Sequence, residues 1–408
     1  MAETIQKALR VLKFGGTSVG SPNRIRRVAK IIESHHKLGD KILVVVSAMG
    51  DSTDELIELA QKVSPAATQL SHLRELDMLL STGERISMAL VSMALNDLGL
   101  NAISLTGSQS GIITSAEFGV AKIQEIKPMR IERHLSEGKI VIVAGFQGVS
   151  TEKEITTLGR GGSDTSAVAL AIQLRAKEVI IYTDVDGIFN VDPRRVKVAK
   201  RIDVISWELA LEAAARGAQV LDPRCVELAW KNKMPIRVAS SFLDDPQFAY
   251  AKLSGTLVTE GDQIMLESSK VLNISIQNSL CSVVLSGMEK LDFVETFLSQ
   301  MTHKGLFPKK WKLRDQALHI LFDLKQREAL TGQKIIEEYS PLTRISILGV
   351  GLTRDPAIVN KIGKCIEGCG LKVIEFNQSA SVMDFIFESC SVEVENKIIE
   401  TLNSDLMI

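Results

Sequence analysis

Six short, nearly continuous apolar runs recur through the first 240 residues: Leu9–Phe14, Ile42–Val46, Ala102–Leu105, Ile140–Val143, Val179–Tyr182 and Ile236–Ala239. Each is apolar at consecutive positions, so each must be covered on both faces. Amphipathic helical patterns separate them. One begins at Ser21-Pro22, a capping hydroxyl followed by proline at the first helical position, and repeats Ile25, Val28, Ile31 and Ile32 at helical spacing. Another, around Glu84–Leu98, carries Ile86, Met88, Leu90, Val91 and Leu95. This alternation predicts an α/β fold, a mostly parallel open sheet sandwiched by helices. Such sheets gather ligands at the C-terminal ends of their strands.

The pattern breaks near Asp244–Gly255, and a domain boundary is expected after 259–262. Two ferredoxin-like α+β modules are expected beyond it, giving domains at 1–262, 263–340 and 341–408. The first module holds strands at Val271–Gln277 and Ser282–Leu285, a helix at Leu291–Lys304 and a strand at Leu318–Leu324. The second holds strands at Arg344–Val350, Lys372–Glu375 and Met383–Phe387, with helices at Ala357–Cys369 and Val392–Leu402. Lys309-Lys310-Trp311-Lys312 reads as a solvated loop. A chain of 408 residues is long enough for this division.

A net charge of −1 gives no reason to expect a nucleic acid or a membrane surface as partner. No apolar run reaches the length of a membrane span, and the N-terminus lacks the basic-then-apolar order of a signal peptide. The five cysteines have no metal-ligand grouping; Cys365 and Cys369, four apart on an expected helix, read as free thiols. The expectation is a cytoplasmic chain with no metal held by the protein.

The segments after the apolar runs carry the chemistry. Lys13-Phe14-Gly15-Gly16-Thr17-Ser18 leaves the first run with a lysine and a glycine pair, a spelling suited to phosphate. The lysine precedes the glycines, so this is not a Walker loop, and a strand-end lysine beside a flexible turn reads the same way. Val46-Ser47-Ala48-Met49-Gly50 and Thr53 offer hydroxyls and backbone donors. Ser81-Thr82-Gly83-Glu84 reads as a helix start with an acid in its first turn, suited to dipole compensation or to a substrate ammonium. In Thr157–Ser166 the glycines permit a tight turn, and Ser163 or Asp164 caps a helix through Ala167–Ala176. Arg160 adds a planar fork for carboxylate or phosphate. Tyr182–Arg194 supplies acids, a turn glycine, an aromatic ring and an arginine, suited to a nucleotide or to an acidic surface loop.

Taken in order, Lys13–Ser18, Val46–Gly50, Gly83-Glu84-Arg85, Gly145-Phe146-Gln147-Gly148, Thr157–Thr165 and Tyr182–Arg194 resemble the motif set of the aspartate kinases of the amino-acid kinase superfamily. The tail resembles, more weakly, the paired ACT regulatory domains of that family. The resemblance implies transfer of the ATP γ-phosphoryl group to the side-chain carboxylate of L-aspartate. The products are 4-phospho-L-aspartate and ADP, on the route to lysine, threonine and methionine. It implies Lys13 and Asp164 as catalytic residues. Ser47, Thr53, Glu84, Phe146, Arg160 and Ser163 would hold the substrate. Lys13, Gly15, Gly16, Thr183, Asp184, Phe189 and Arg194 would hold the nucleotide. Mg2+ would enter mainly through ATP oxygens. A homodimer or larger assembly through the ACT modules and an amino-acid effector are implied partners. Another kinase of the superfamily, for a different acid or for a nucleotide, or an amino-acid sensor of the same fold weakened in catalysis, is the alternative.

Two departures accompany the resemblance. Gln219 and Asp222 stand where members of the family often have lysine and histidine. The loss of a cation either weakens nucleotide binding or is made good by Arg216 or Arg224. The effector loops, Gly287–Asp292 and Thr353–Ala357, lack the glycine usual there, so feedback inhibition is expected to be weak.

Overall fold

The computed structural model describes residues 8–217, 220–242, 255–260, 270–286, 291–303, 306–352 and 356–406. Gln219, most of both effector loops (287–290 and 353–355) and positions 261–262 of the expected boundary lie outside the described residues. The chain forms two compact units. One comprises Met1–Ile188, Arg201–Leu211 and Gln219–Asp262; the other comprises Phe189–Lys200, Glu212–Ala218 and Gln263–Ile408.

The strands of the first unit are β1 (Leu9–Phe14), β2 (Lys41–Val46), β3 (Ala102–Leu105), β4 (Ile112–Thr114), β5 (Ile123–Ile126), β6 (Ile140–Ala144), β7 (Gln147–Ser150), β8 (Ile155–Thr157), β9 (Val179–Thr183), β10 (Val204–Ser206), β11 (Ile236–Ser240) and β12 (Thr256–Thr259). Its helices are α1 (Gly16–Val19), α2 (Pro22–His36), α3 (Ser52–Val63), α4 (Leu73–Asp97), α5 (Met129–Ser136), α6 (Gly162–Gln173), α7 (Trp207–Ala215, whose last turn counts with the second unit) and α8 (Pro223–Lys231). All six apolar runs are strands of one eight-stranded sheet, ordered β10-β12-β11-β9-β1-β2-β6-β3. It is parallel from β11 to β3. A four-stranded sheet, β5-β4-β7-β8, stands apart from it.

Strand β1 has β2 on one side and β9 on the other, which makes it the point where chain order reverses and a ligand crevice opens. Alternation along β1 assigns its side chains. Leu12 and Phe14 join Ile25, Val28, Ile32, Val91 and Leu95 of α2 and α4 in one core. The ring of Phe14 stacks on Tyr182 at 4.9 Å between centroids. Lys13, between them, takes the opposite face, where α6 packs against β1, β2 and β9.

Two expected helix starts are corrected. Helix α4 begins at Leu73, so Ser81-Thr82-Gly83-Glu84 lies in mid-helix. Ser81 and Thr82 do not break it, because their hydroxyls donate to the carbonyls of Met78 and Leu79. Gly83 is there for closeness: a Cβ on it would stand 2.8 Å from Ala48 Cβ. In α6 neither Ser163 nor Asp164 is the cap. Gly161 holds that position at φ 71, and both polar residues sit in the first turn. Among the described residues α4 alone is long and apolar enough to cross a membrane, yet it is half buried and lies against β2, β3, β6 and β8.

The second unit contains β13 (Lys270–Ser286), β14 (Lys310–Arg314), β15 (Ala317–Asp323), β16 (Ile335–Val350), β17 (Val373–Gln378) and β18 (Val382–Glu388), with α9 (Leu291–His303), α10 (Pro356–Gly368) and α11 (Val392–Leu406). The strands form one antiparallel sheet, β14-β15-β13-β16-β18-β17. The two strands expected at 271–277 and 282–285 are halves of β13, joined through Ser279 at φ 57. The first half pairs with Arg344–Val350 and the second with Ile335–Tyr339. Lys310–Lys312, expected in a loop, belongs to edge strand β14; lysines suit an edge because they deter further pairing.

Candidate functional site

The conspicuous polar contact at the head of the sheet joins β1 to α6. Lys13 Nζ stands 2.7 Å from Asp164 Oδ1, and both side chains are nearly buried. Lys13 is held there by a strand covered on both faces, and Asp164 by the first turn after the Gly159–Gly161 bend. A Cβ placed on Gly15 would lie 3.5 Å from Lys13 Nζ, so the amine lies over the glycine loop. The amide of Gly15 donates to Tyr182 O, which leaves Gly16 and Thr17 as the first-turn donors of α1. Gly16 is hemmed in by backbone: a Cβ there would stand 3.0 Å from Gly50 O and 3.1 Å from Ala48 O.

The loop after β2 carries the next group. Ser47 donates its amide to Phe14 O, and Ser87 Oγ donates to Ser47 O at 2.6 Å. Ala48 N donates to Glu84 Oε1 at 3.1 Å. Glu84 is 3% exposed, and its Oε2 has no hydrogen-bond partner. Burial pushes its carboxyl up to about 7, against the pull of the backbone donors. A half-satisfied buried carboxyl is a poor structural element and a ready acceptor for a cationic ligand. Thr53 lies in the first turn of α3.

The third group surrounds the glycine bend. Phe146 has φ 66, its amide donates to Ser166 Oγ, and its carbonyl accepts from Leu158 N. Gly145 and Gly162 allow this packing, since Cβ atoms there would meet Ser163 and Phe146 at 2.9 and 3.0 Å. Ser163 is buried and Arg160 is exposed at the bend. On β9, Thr183 Oγ1 donates to Asp184 Oδ1 at 3.1 Å, while Thr183 O accepts from Ser241. The first unit thus brings Lys13, Gly15, Gly16, Ser47, Glu84, Phe146, Ser163, Asp164 and Thr183 to the ends of β1, β2, β6 and β9 or the helices beside them. Phe189 and Arg194 count with the second unit, where Asn273 Nδ2 donates to Phe189 O and Arg194 pairs with Asp192.

Two residues, Cys225 and Asp77, had no role in the sequence analysis, and Asp222 entered it only as a departure from the family. Asp222 caps α8 by accepting from Arg224 N at 2.9 Å, and its carboxyl fills the space a side chain on Gly161 would need. Burial first, and the Asp164 charge with it, raise its pKa. Cys225, fully buried on α8, has a thiol pushed up by burial and by Asp164 and Asp222. Asp77 is buried in α4 with all its acceptors used. Its one sequence signal was spacing: an acid in an apolar helix seven residues before Glu84 shares a face with it.

A profile described as the amino acid kinase family matches residues 8–240. The chain belongs to that family. It is 50% identical over 389 residues to an aspartokinase of Mycolicibacterium smegmatis, covering 90% of this chain and 89% of that one. It is 40% identical over 377 residues to an aspartokinase of Geobacillus stearothermophilus, covering 89% of each. In fold it matches E. coli aspartokinase III in complex with aspartate and ADP, with TM-score 0.77 and 24% identity over 98% of this chain and 99% of that one.

Proposed function

We propose that this chain is an aspartate kinase, transferring the γ-phosphoryl group of ATP to the side-chain carboxylate of L-aspartate. The observation that carries the reading is the pairing of Lys13 with Asp164 at the head of β1, with the half-satisfied Glu84 nearby on α4. Half-identity to an aspartokinase across nine-tenths of both chains supports it.

The chemistry follows from charge. A substrate carboxylate with a pKa of about 4 is ionised at neutral pH and needs no general base. Its oxygen forms a bond to the γ-phosphorus, and the bond from that phosphorus to the β,γ-bridging oxygen breaks, leaving its electron pair on ADP. The obstacle is repulsion between two anions, so the site must supply cations, donors and alignment. Lys13 supplies charge to the moving phosphoryl group, and Asp164 fixes the ammonium. The amides of Gly16 and Thr17 supply donors, with Gly15 in the same loop beneath the amine. Arg160 holds aspartate carboxylate, and Glu84 accepts from its ammonium. Ser47, Thr53, Phe146 and Ser163 line that pocket. Thr183 and Asp184 contact the nucleotide. MgATP enters as substrate, its Mg2+ carried by phosphate oxygens. The same proposal includes cytoplasmic location, an amino-acid effector and self-association through the second unit.

A coupled ADP-release assay with aspartate tests the reading, with hydroxylamine trapping to identify the acyl phosphate. Turnover with aspartate and not with glutamate or acetylglutamate is expected; absence of turnover in a folded chain overturns it.

A further inference from the structure

The buried carboxylate of Asp77 takes no part in the chemistry above, yet it is the most heavily hydrogen-bonded acid in the first unit among the described residues. It is 1% exposed. Its oxygens accept from Gly119 N at 3.1 and 3.0 Å, from Thr157 N at 2.8 Å and from Thr157 Oγ1 at 2.7 Å. These donors bracket one place. Thr157 ends β8, two residues before Gly159, and a Cβ on Gly159 would stand 2.9 Å from Gly119 O. The next link is equally fixed: Leu158 N donates to Phe146 O, and Arg224 Nη1 donates to Leu158 O. Gly159, Arg160 and Gly161 then form the bend into α6.

Asp77 also belongs to the helix that carries Glu84. The two are seven residues apart, so they lie on one face of α4, about 10 Å apart along its axis. A second tie runs parallel: Gln147 Nε2 on β7 donates to Ser81 O of α4 at 2.8 Å. The four-stranded sheet is thus pinned to α4 at two places, and Asp77 is the pin next to the Arg160 bend. Stability alone does not call for an acid here, since burying it opposes ionisation and raises its pKa despite the three donors.

We propose that Asp77 is a positioning residue for the acidic substrate. By holding Thr157 and Gly119 to α4, it sets the Arg160 bend at a fixed distance from Glu84, and so tunes aspartate affinity without touching aspartate. This rests on the reading of Arg160 and Glu84 given above.

The test uses the full chain and three variants, Asp77→Asn, Thr157→Val and Arg160→Ala. Wild-type turnover with aspartate comes first; its absence defeats the functional reading and the affinity claim with it. With turnover in hand, Asp77→Asn is expected to raise KM for aspartate about tenfold, with KM for ATP within about twofold and kcat within about threefold. Thr157→Val, which removes one donor only, raises KM for aspartate about threefold and guards against a misfolded Asp77→Asn. Combined with Arg160→Ala, Asp77→Asn adds little further loss in kcat/KM, because both act through one contact. Amide exchange at 157–162 quickens in Asp77→Asn while exchange in β1 and β2 holds. A residue serving stability alone would lower Tm and the active fraction and leave KM for aspartate in place. That outcome, equal rises in both KM values, or unchanged exchange at 157–162 overturns the inference while the kinase assignment stands.

Discussion

Lys13 Nζ and Asp164 Oδ1, 2.7 Å apart, join the central strand of the parallel sheet to the first turn of the helix behind it. Each is nearly buried, so each is held where it is by the other. Removing the lysine takes a cation from a reaction between anions and strands a carboxylate. Lys13→Ala is therefore expected to lower kcat/KM by about 10²–10³ or more. It also costs stability, about 3 kcal/mol for the uncompensated acid. Lys13→Ala combined with Asp164→Asn regains most of the stability and none of the activity. Thermal unfolding and the ADP-release assay on the two variants separate these effects.

Glu84 gives a pH prediction with a definite sign. Its carboxyl is pushed by burial from an ordinary 4.5 to about 7, so between those pH values the folded chain holds a proton the unfolded chain has lost. Stability contributed at this residue is therefore present below about pH 4.5 and declines as pH rises to about 7, by on the order of 3 kcal/mol in all. Glu84→Gln should lose that component, so the difference in unfolding free energy between the two proteins shifts in favour of the variant from pH 5 to 8. Activity runs the other way. An ammonium needs the carboxylate, so kcat/KM for aspartate should rise with pH to a plateau above about 7, and Glu84→Gln should abolish that limb. Urea titrations and initial rates across this pH range decide both.

Much of this was legible in the chain because buried strands write themselves as short apolar runs, and all six runs are strands of the main sheet. Their ends gave most of the candidate site for the same reason. Where the reading failed, local spelling was overruled by contact. Ser81-Thr82-Gly83 spells a helix start, but two hydroxyls bonded back into the helix and a glycine pressed on Ala48 carry α4 straight through it. The charged edge strand β14 hid behind its lysines. The contacts of Asp77 and Asp222 were illegible for another cause: their partners, Thr157 and Gly161, are 80 and 61 residues away, and no local pattern records such a meeting.

Asp222 combines two roles that substitution can part. It caps α8 through Arg224 N, and its charge adds to that of Asp164. Asp222→Ala should lose the cap at about 1 kcal/mol, whereas Asp222→Asn keeps an acceptor and most of the stability. By removing a negative charge near the phosphate end of the site, Asp222→Asn should lower KM for ATP by about threefold. Thermal unfolding with ATP-dependent rates checks the pair; an unchanged KM for ATP would separate Asp222 from the nucleotide.

In the second unit a buried polar group holds the sheet. Asp384, 5% exposed on β18, accepts from Ser346 Oγ at 2.6 Å and from Arg216 Nε at 3.1 Å. Arg344, 4% exposed on β16, donates to Gln277 Oε1 at 2.6 Å, and burial lowers its pKa. Arg216, just past α7, also pairs with Glu212, whereas Arg344 is buried on β16 with Asp384 as its strongest favourable charge. Asp384→Ala removes that charge and leaves Ser346 Oγ without its acceptor, and should cost about 1–3 kcal/mol, while Asp384→Asn, which can still accept from Ser346, costs less. Because the units have separate cores, the loss should appear in the second unit first. Its single tryptophan, Trp311 on β14, should report unfolding at lower urea in the alanine variant, while amides of β1 and β2 keep their protection. A single coincident transition at the wild-type midpoint would show that the buried acid contributes nothing to holding β16 and β18.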